Sequence, residues 1–330
     1  MQSAGQVHSI QNMFEPLATP ARLVSNVSIL TLVVCGVIFA VVATLLAIAV
    51  FRFRSRASDD NSEPAQVYGS NQIEIAWTVI PILIVFVLSM ATARITSAVQ
   101  DKAIPADAVQ ITVTGHQWWW EFRYTNAGLN FVTANEMHVP VSTASKPTLT
   151  YLTLKSADVV HSFWVPQLAG KTDLIPNRVN NMWIDPKEPG TYLGNCAAFC
   201  GTQHANMLLR VVVESPEDFN RWVARQKQPA AVVEDETLKR NQTAFLTSSC
   251  IACHTVRGTR SPGISGPDLT HLMSRETLGS GVLPNTPENL RAWIRNSHKF
   301  KPGNLMPAVA GQQLDDQKLD QMVAYLETLQ

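Results

Sequence analysis

Two long hydrophobic stretches dominate the first third of the chain. No charged residue occurs from Val24 to Phe51, and none from Ile75 to Ala93. Each run is long enough to cross a bilayer as a helix, the first with some tilt. Pro81 sits inside the second and is expected to kink it. Beyond Ala93 the pattern changes. Val109, Ile111 and Val113 alternate with polar residues, short apolar runs such as that at Leu149 and Tyr151 follow, and Pro140, Pro147, Pro166, Pro176, Pro186 and Pro189 punctuate the region. Short strands at this spacing predict a β-sandwich or barrel. Ser215, Pro216 and Asp218 form a helix-start signal, with a capping hydroxyl, proline at the first position and an acid in the first turn. Residues 226–235 lack periodicity and read as a linker. From Glu236 the pattern is helical, ending with Leu319, Met322, Val323 and Leu326 on one face and Leu329 a turn further on. The expected organisation is an N-terminal tail (1–23), a two-span hairpin (24–104), a β domain (105–225), a linker (226–235) and a small all-α domain (236–330).

Charge adds orientation. Arg52, Arg54 and Arg56 crowd the turn between the spans, whereas the outer flanks carry Arg22, Arg94 and Lys102. Positive residues stay on the cytoplasmic side, so both termini and both outer domains are expected across the membrane. No separate cleavable signal precedes Val24; either one was removed or the first span directs export. The 26 basic and 26 acidic residues cancel, which argues against nucleic acid as a partner, since that needs a basic face.

The chemistry lies in the cysteines. Cys35 is expected to be a packing residue within the first span. Cys250-Ile-Ala-Cys253-His254 has the spacing of covalent haem c attachment: two thiols bond the haem vinyl groups and the adjacent imidazole reaches the iron. A redox dithiol does not need the histidine, and a zinc site needs a second ligand pair. The sixth iron ligand is sought among Met273, Met306 and Met322. Met322 belongs to an apolar helix face, whereas Met306 lies in the loop Lys301–Pro307, where a thioether can be held over the haem, and is chosen. A Met/His pair raises the potential and suits electron transfer. The Pro267 carbonyl is placed to accept the His254 ring N–H and so fix the ring. His271 and His298 are expected to be ordinary surface or loop histidines.

A second string, Cys196-Ala-Ala-Phe-Cys200-Gly-Thr-Gln-His204-Ala-Asn-Met207, gathers two thiols, an imidazole and a thioether, a set that favours copper. One Cys with one His and a weak Met would make a mononuclear site. The second Cys allows two sulfurs to bridge two coppers, each then needing its own His, and His161, on a separate β-segment, is the best supplier. A Cys196–Cys200 disulfide and a thiol-based copper chaperone are the alternatives; neither needs His204 and Met207.

With these motifs in place, the chain resembles subunit II of haem–copper cytochrome c oxidases, in the caa3-type form with a fused cytochrome c domain. The likeness runs from about Val24 to the C-terminus and includes Gly115-His-Gln-Trp-Trp-Trp120, Asp158-Val-Val-His161-Ser, and Gly170-Lys-Thr-Asp173. It implies a transmembrane hairpin, a cupredoxin-like β-barrel and an all-α cytochrome c domain in a bacterial inner membrane, with the cofactor domains on the periplasmic side. It implies a dinuclear copper centre, CuA, held by His161, Cys196, Cys200, His204, Met207 and the Ala198 carbonyl, beside haem c on Cys250, Cys253, His254 and Met306. It further implies electron entry to copper at Trp118, a proton-path carboxylate at Glu74, and subunit I as partner. An external donor, such as a cytochrome c, would feed electrons through haem c and CuA to subunit I, where oxygen is reduced to water with proton translocation. The bland reading of Glu74 is a helix-end carboxylate at the interface, and that of the Trp run is a hydrophobic anchor near the membrane. At Ala198 the family usually has Glu, whose carboxylate helps bind a magnesium or manganese ion at the border with subunit I, so that ion site is expected to be altered or lost here. Two other readings share the copper string, the CuA subunit of a nitric oxide reductase and a copper-delivery protein.

Overall fold

The computed structural model describes residues 7–8, 12–54, 66, 68–100, 103–126, 128–306 and 315–330; Arg56, Lys102 and Pro307 of the expectations above lie outside them. The chain divides into two compact units, one of residues 23–101 and the other of residues 1–22 and 102–330.

The first unit consists of helix α1 (Thr19–Arg52), which begins in the other unit, and helix α2 (Asn71–Gln100). Both exceed the apolar runs that announced them, and both are long and apolar enough to cross a membrane. Phe39, Leu45, Ile82 and Phe86 stand exposed along them, as expected of surfaces meant for lipid or a partner helix. Helix α2 continues through Pro81; a proline removes one backbone donor, and the rest of the ladder carries the helix past it.

Among the described residues of the second unit, eleven strands build two sheets. They are β1 (Val7–His8), β2 (Val109–His116), β3 (Trp119–Tyr124), β4 (Phe131–Ala134), β5 (Glu136–Pro140), β6 (Thr150–Ser156), β7 (His161–Trp164), β8 (Thr172–Leu174), β9 (Asn180–Ile184), β10 (Gly190–Cys196) and β11 (Leu208–Glu214). One sheet has the order β4-β3-β2-β6-β9, the other β5-β11-β10-β7-β8 with β1 beside β10. The alternation at Ile111 and Val113 does place both inside. In β6 the buried phase is Thr150, Leu152 and Leu154, so Leu149 and Tyr151 are not the core set; a one-residue shift moves a strand's side chains to the other face. Trp120 and Phe163 meet edge to face at 5.6 Å in the core between the sheets.

Helix α3 (Pro216–Gln226) starts where the sequence placed it: the Ser215 hydroxyl accepts the Asp218 amide at 3.1 Å. It buries Phe219 and Trp222, the latter stacked on His138 with ring centroids 4.2 Å apart.

The C-terminal part holds α4 (Glu236–Leu246), α5 (Pro287–Arg295) and α6 (Asp316–Leu326), with two-residue ladders β12 (Thr255–Val256) with β13 (Ser261–Pro262), and β14 (Thr277–Leu278) with β15 (Leu283–Pro284). Leu319, Met322, Val323 and Leu326 of α6 face Phe245, Leu290 and Ile294 in one core, as the helical period predicted. The segment after α3 is tied to this part: Ala230 N–H donates to the Arg257 carbonyl at 2.9 Å, and Ala230 and Val233 pack on its core.

Candidate copper and haem sites

The copper ligand string is the connection between two paired strands. Cys196 ends β10 and Met207 precedes β11; the Cys196 amide donates to the Met207 carbonyl at 3.0 Å and closes the loop at its base. A second anchor, the Ala197 amide donating to the Ser162 carbonyl at 2.9 Å, fastens the loop to β7. Within the loop Gly201 has φ +116°, a conformation L side chains rarely adopt, and a Cβ there would come within 3.0 Å of the Trp118 ring. Antiparallel pairing opposes Cys196 to Phe163, two residues from His161.

This geometry brings the five side chains together. Cys196 Sγ lies 3.9 Å from His161 Nδ1 and 3.7 Å from Cys200 Sγ, while Cys200 Sγ lies 3.7 Å from His204 Nδ1 and 3.9 Å from Met207 Sδ. The Ala198 carbonyl oxygen is 3.2 Å from Cys196 Sγ. The two sulfurs are too far apart for a disulfide bond, whose length is about 2.0 Å. Cys196, Cys200, Met207 and His161 are all buried. Each sulfur therefore has its own imidazole within 3.9 Å, a donor set that fits a pair of soft ions bridged by thiolates. The Cys200 thiol beside it holds the Cys196 pKa down, at about 3, while Cys200 itself is pushed up by its neighbour. Losing both protons together thus calls for a positive charge between the sulfurs.

Residues that the sequence reading quoted without assigning a role complete the site. Asp158 Oδ1 is 2.7 Å from His161 Nε2, and Asp158 also accepts the amides of Gln117 at 2.6 Å and Val159 at 2.7 Å. A carboxylate facing Nε2 holds the proton there and leaves Nδ1 as a lone-pair donor towards Cys196. Burial opposes a charged His161 ring, but the hydrogen bonds to Asp158 and Cys196 outweigh it and raise its pKa. Gly115 explains the start of its motif: a Cβ there would sit 2.8 Å from His161 Cδ2. The Trp118 indole N–H donates to the Cys200 carbonyl at 3.0 Å, and the Gln117 side-chain amide donates to the same oxygen at 2.8 Å. Trp118 is thus in direct contact with the ligand loop. Phe199, between the two cysteines, is 81% exposed.

At the second string, Ser248 caps a short 3-10 turn from Ser249 to Ala252, and the His254 amide donates to the Cys250 carbonyl at 3.0 Å. Cys250 and Cys253 are not joined in a disulfide. His254 Nδ1 is 2.8 Å from the Pro267 carbonyl oxygen, the bond foreseen from the sequence. A carbonyl can only accept, so Nδ1 carries the proton and Nε2 is left for a metal. Burial pulls the His254 pKa down, which favours the neutral ring that iron requires. Gly263 and Gly266 permit this packing: a Cβ on Gly266 would lie 2.8 Å from His254 Cε1, and one on Gly263 2.5 Å from the Cys253 backbone. These features fit a haem bonded through Cys250 and Cys253 with His254 on its iron.

Met306 is held by its backbone, its N–H donating to Asn304 Oδ1 at 2.9 Å and its carbonyl accepting from His298 Nε2 at 3.0 Å. Met322 is fully buried in the core, and Met273 is packed against the same core. His298 therefore braces the methionine loop. His271 is not a surface residue: it is buried, with its two ring nitrogens 2.6 Å from the Gln330 carbonyl and 3.1 Å from that of Gln228. Those partners are remote in sequence, which is why spacing did not reveal them. Glu74 lies in the exposed first turn of α2.

Comparison with known proteins agrees with this division. Residues 8–95 match the family described as cytochrome c oxidase subunit II, transmembrane domain, residues 130–215 match its periplasmic domain, and residues 238–330 match cytochrome c. Cytochrome c oxidase subunit 2 of Alkalihalophilus pseudofirmus is 34% identical over 96% of this chain and 90% of its own length. The proteins of the same name from Bacillus sp. strain PS3 and Bacillus subtilis are 32% and 30% identical, over 84% and 85% of this chain and 80% and 81% of their own lengths. The chain is a membrane-anchored subunit that associates with subunit I of a haem–copper oxidase and serves its electron input: it belongs to the cytochrome c oxidase subunit II family, in the form that carries a fused cytochrome c domain.

Proposed function

We propose that this chain takes electrons from an external carrier at a covalent haem c and delivers them through a dinuclear CuA centre to subunit I, where oxygen is reduced to water with proton translocation. When bound, the haem and the copper pair supply one-electron exchange; the chain's own residues hold, insulate and orient them. The observation that carries the reading is the convergence of His161, Cys196, Cys200, His204 and Met207 from two strands and one loop, with neighbouring donors 3.7 to 3.9 Å apart.

Each residue has a definable task. Cys196 and Cys200 would hold the copper pair between them, with His161, His204, Met207 and the Ala198 carbonyl as the further ligands. Asp158 fixes the tautomer of His161. Cys250 and Cys253 would tether the haem, and His254 and Met306 would bind its iron. Burial of His161, Cys196, Cys200 and Met207 keeps water from the copper ligands, so little solvent must reorganise there when charge moves. Trp118, bonded to the Cys200 carbonyl, is the aromatic step into copper. Glu74 marks the mouth of a proton path into the partner. The arginines that follow the first span support a cytoplasmic turn, with the cofactor domains outside a bacterial cell membrane.

The purified oxidase should show a near-infrared mixed-valence copper band together with a c-type haem spectrum that survives acid–acetone extraction. A copper spectrum of mononuclear type, or haem removed by extraction, would refute the reading.

A further inference from the structure

Lys301 is the most telling residue outside both ligand sets. It belongs to the haem domain, on the stretch leading to Met306, yet its side chain is only 2% exposed. Its ammonium donates to three carbonyls: Trp118 at 2.6 Å and Asn206 at 2.8 Å in the copper domain, and Gly279 at 2.8 Å in its own domain. An ammonium has three N–H donors, and each finds an acceptor. Burial acts against the charge, pulling its pKa down to about 7; the three carbonyls oppose that cost.

The surrounding contacts form one continuous seam. The Gln203 side-chain amide donates to the Pro302 carbonyl at 2.8 Å. Ser280 Oγ donates to the Leu208 carbonyl at 2.6 Å, and the Leu208 amide returns a bond to the Ser280 carbonyl at 3.2 Å. Glu136 of β5, 2% exposed, accepts the Glu276 amide at 2.9 Å, the Thr277 amide at 2.9 Å and the Thr277 hydroxyl at 2.8 Å. Arg210 pairs with Glu276 at its edge. A charged group is buried from each side and hydrogen-bonded across to the other, Lys301 by two of its three bonds and Glu136 by all of its own, so separating the two halves strands a buried ion without its partners. The stretch also reaches the indole: a Cβ on Gly303 would lie 3.9 Å from Trp118 Cη2, and Trp118 is only 8% exposed.

We propose that Lys301 is a latch that locks the haem domain onto the copper domain over Trp118, so that this indole is closed to outside electron carriers and served only by the chain's own haem. This rests on the copper and haem reading above, but it adds a fixed docked state and a positioning residue. With both cofactors bound, a single electron would pass from haem to copper with no bond made or broken, so Lys301 acts only by fixing the gap.

The test uses the intact purified oxidase. In the wild type, Trp118 should resist hydroxyl-radical labelling and the Glu276 and Thr277 amides should exchange slowly. Haem-to-copper transfer after photoreduction of the haem should be independent of solvent viscosity. In Lys301→Met, labelling of Trp118 and exchange at Glu276 and Thr277 should rise roughly tenfold, and transfer should slow by roughly tenfold or more, about 1.4 kcal/mol, and become viscosity-dependent. Both cofactor spectra should be kept. Unchanged labelling and transfer in Lys301→Met would overturn the latch. If the variant does not fold, the wild type still decides: ready labelling of Trp118, or fast exchange at Glu276 and Thr277, overturns it. A wild type lacking either cofactor spectrum would refute the functional reading instead, and the labelling and exchange results would judge the latch on their own.

Discussion

Asp158 and His161 are joined at 2.7 Å between Oδ1 and Nε2, and the same carboxylate accepts the backbone amide of Gln117, the residue before Trp118. One side chain therefore orients a copper-facing imidazole and anchors the turn between β2 and β3 that bears the aromatic. Replacing Asp158 with Asn offers an amide that can donate to Nε2 and reverse the tautomer. Such second-layer changes cost about 10–100-fold in metal affinity. Asp158→Asn should weaken copper binding by that order in competition with a copper chelator, while the haem c spectrum stays as it was.

His161→Ala should remove the two-copper signal altogether. The other donors lie on the end of β10 and the loop that follows it, and without His161 one copper would lose its imidazole. Near-infrared absorption of the purified protein reports the loss, and covalent haem c, built on residues of another domain, should persist. An unaltered copper spectrum would mean that the second imidazole comes from elsewhere.

Met306 is the sixth-ligand choice, and its loop is held through Asn304 and His298. Met306→Ala should leave the haem attached through Cys250 and Cys253 but lower its reduction potential, because a Met/His pair raises it. Spectroelectrochemistry measures the shift. The absorption that marks methionine ligation of ferric haem should vanish with it; if that absorption remains, the ligand is another residue.

The haem-domain core offers a stability test independent of metals. Phe245 is 1% exposed and meets Tyr325 with ring centroids 5.6 Å apart. Phe245→Ala should destabilise this domain by about 3–5 kcal/mol, read as an earlier denaturant midpoint of the haem signal. The copper-domain core does not include Phe245, so the copper signal should move less.

Ala198 keeps its carbonyl 3.2 Å from Cys196 Sγ but has no carboxylate to offer an ion. Metal analysis of the purified complex should therefore find no stoichiometric magnesium or manganese bound through this segment.

Much of this protein is readable from spacing along the chain. The two spans are set by length and lack of charge, and the haem string by two thiols and an imidazole within five residues. The Ser215 cap and the apolar face of α6 follow from local periodicity, and even the Pro267 bond to His254 spans few residues. Only the tertiary structure placed the rest. The phase of β6 depends on which face its sheet buries. His271 is buried by partners at Gln228 and at the chain's end. Lys301 looks like an ordinary surface lysine in sequence, because Trp118, whose carbonyl it holds, is 183 residues away. Local pattern records what a residue does to its neighbours. Whether a charge is solvated or buried is settled by the surface the fold brings against it, and for Lys301 and Glu136 that surface belongs to another domain.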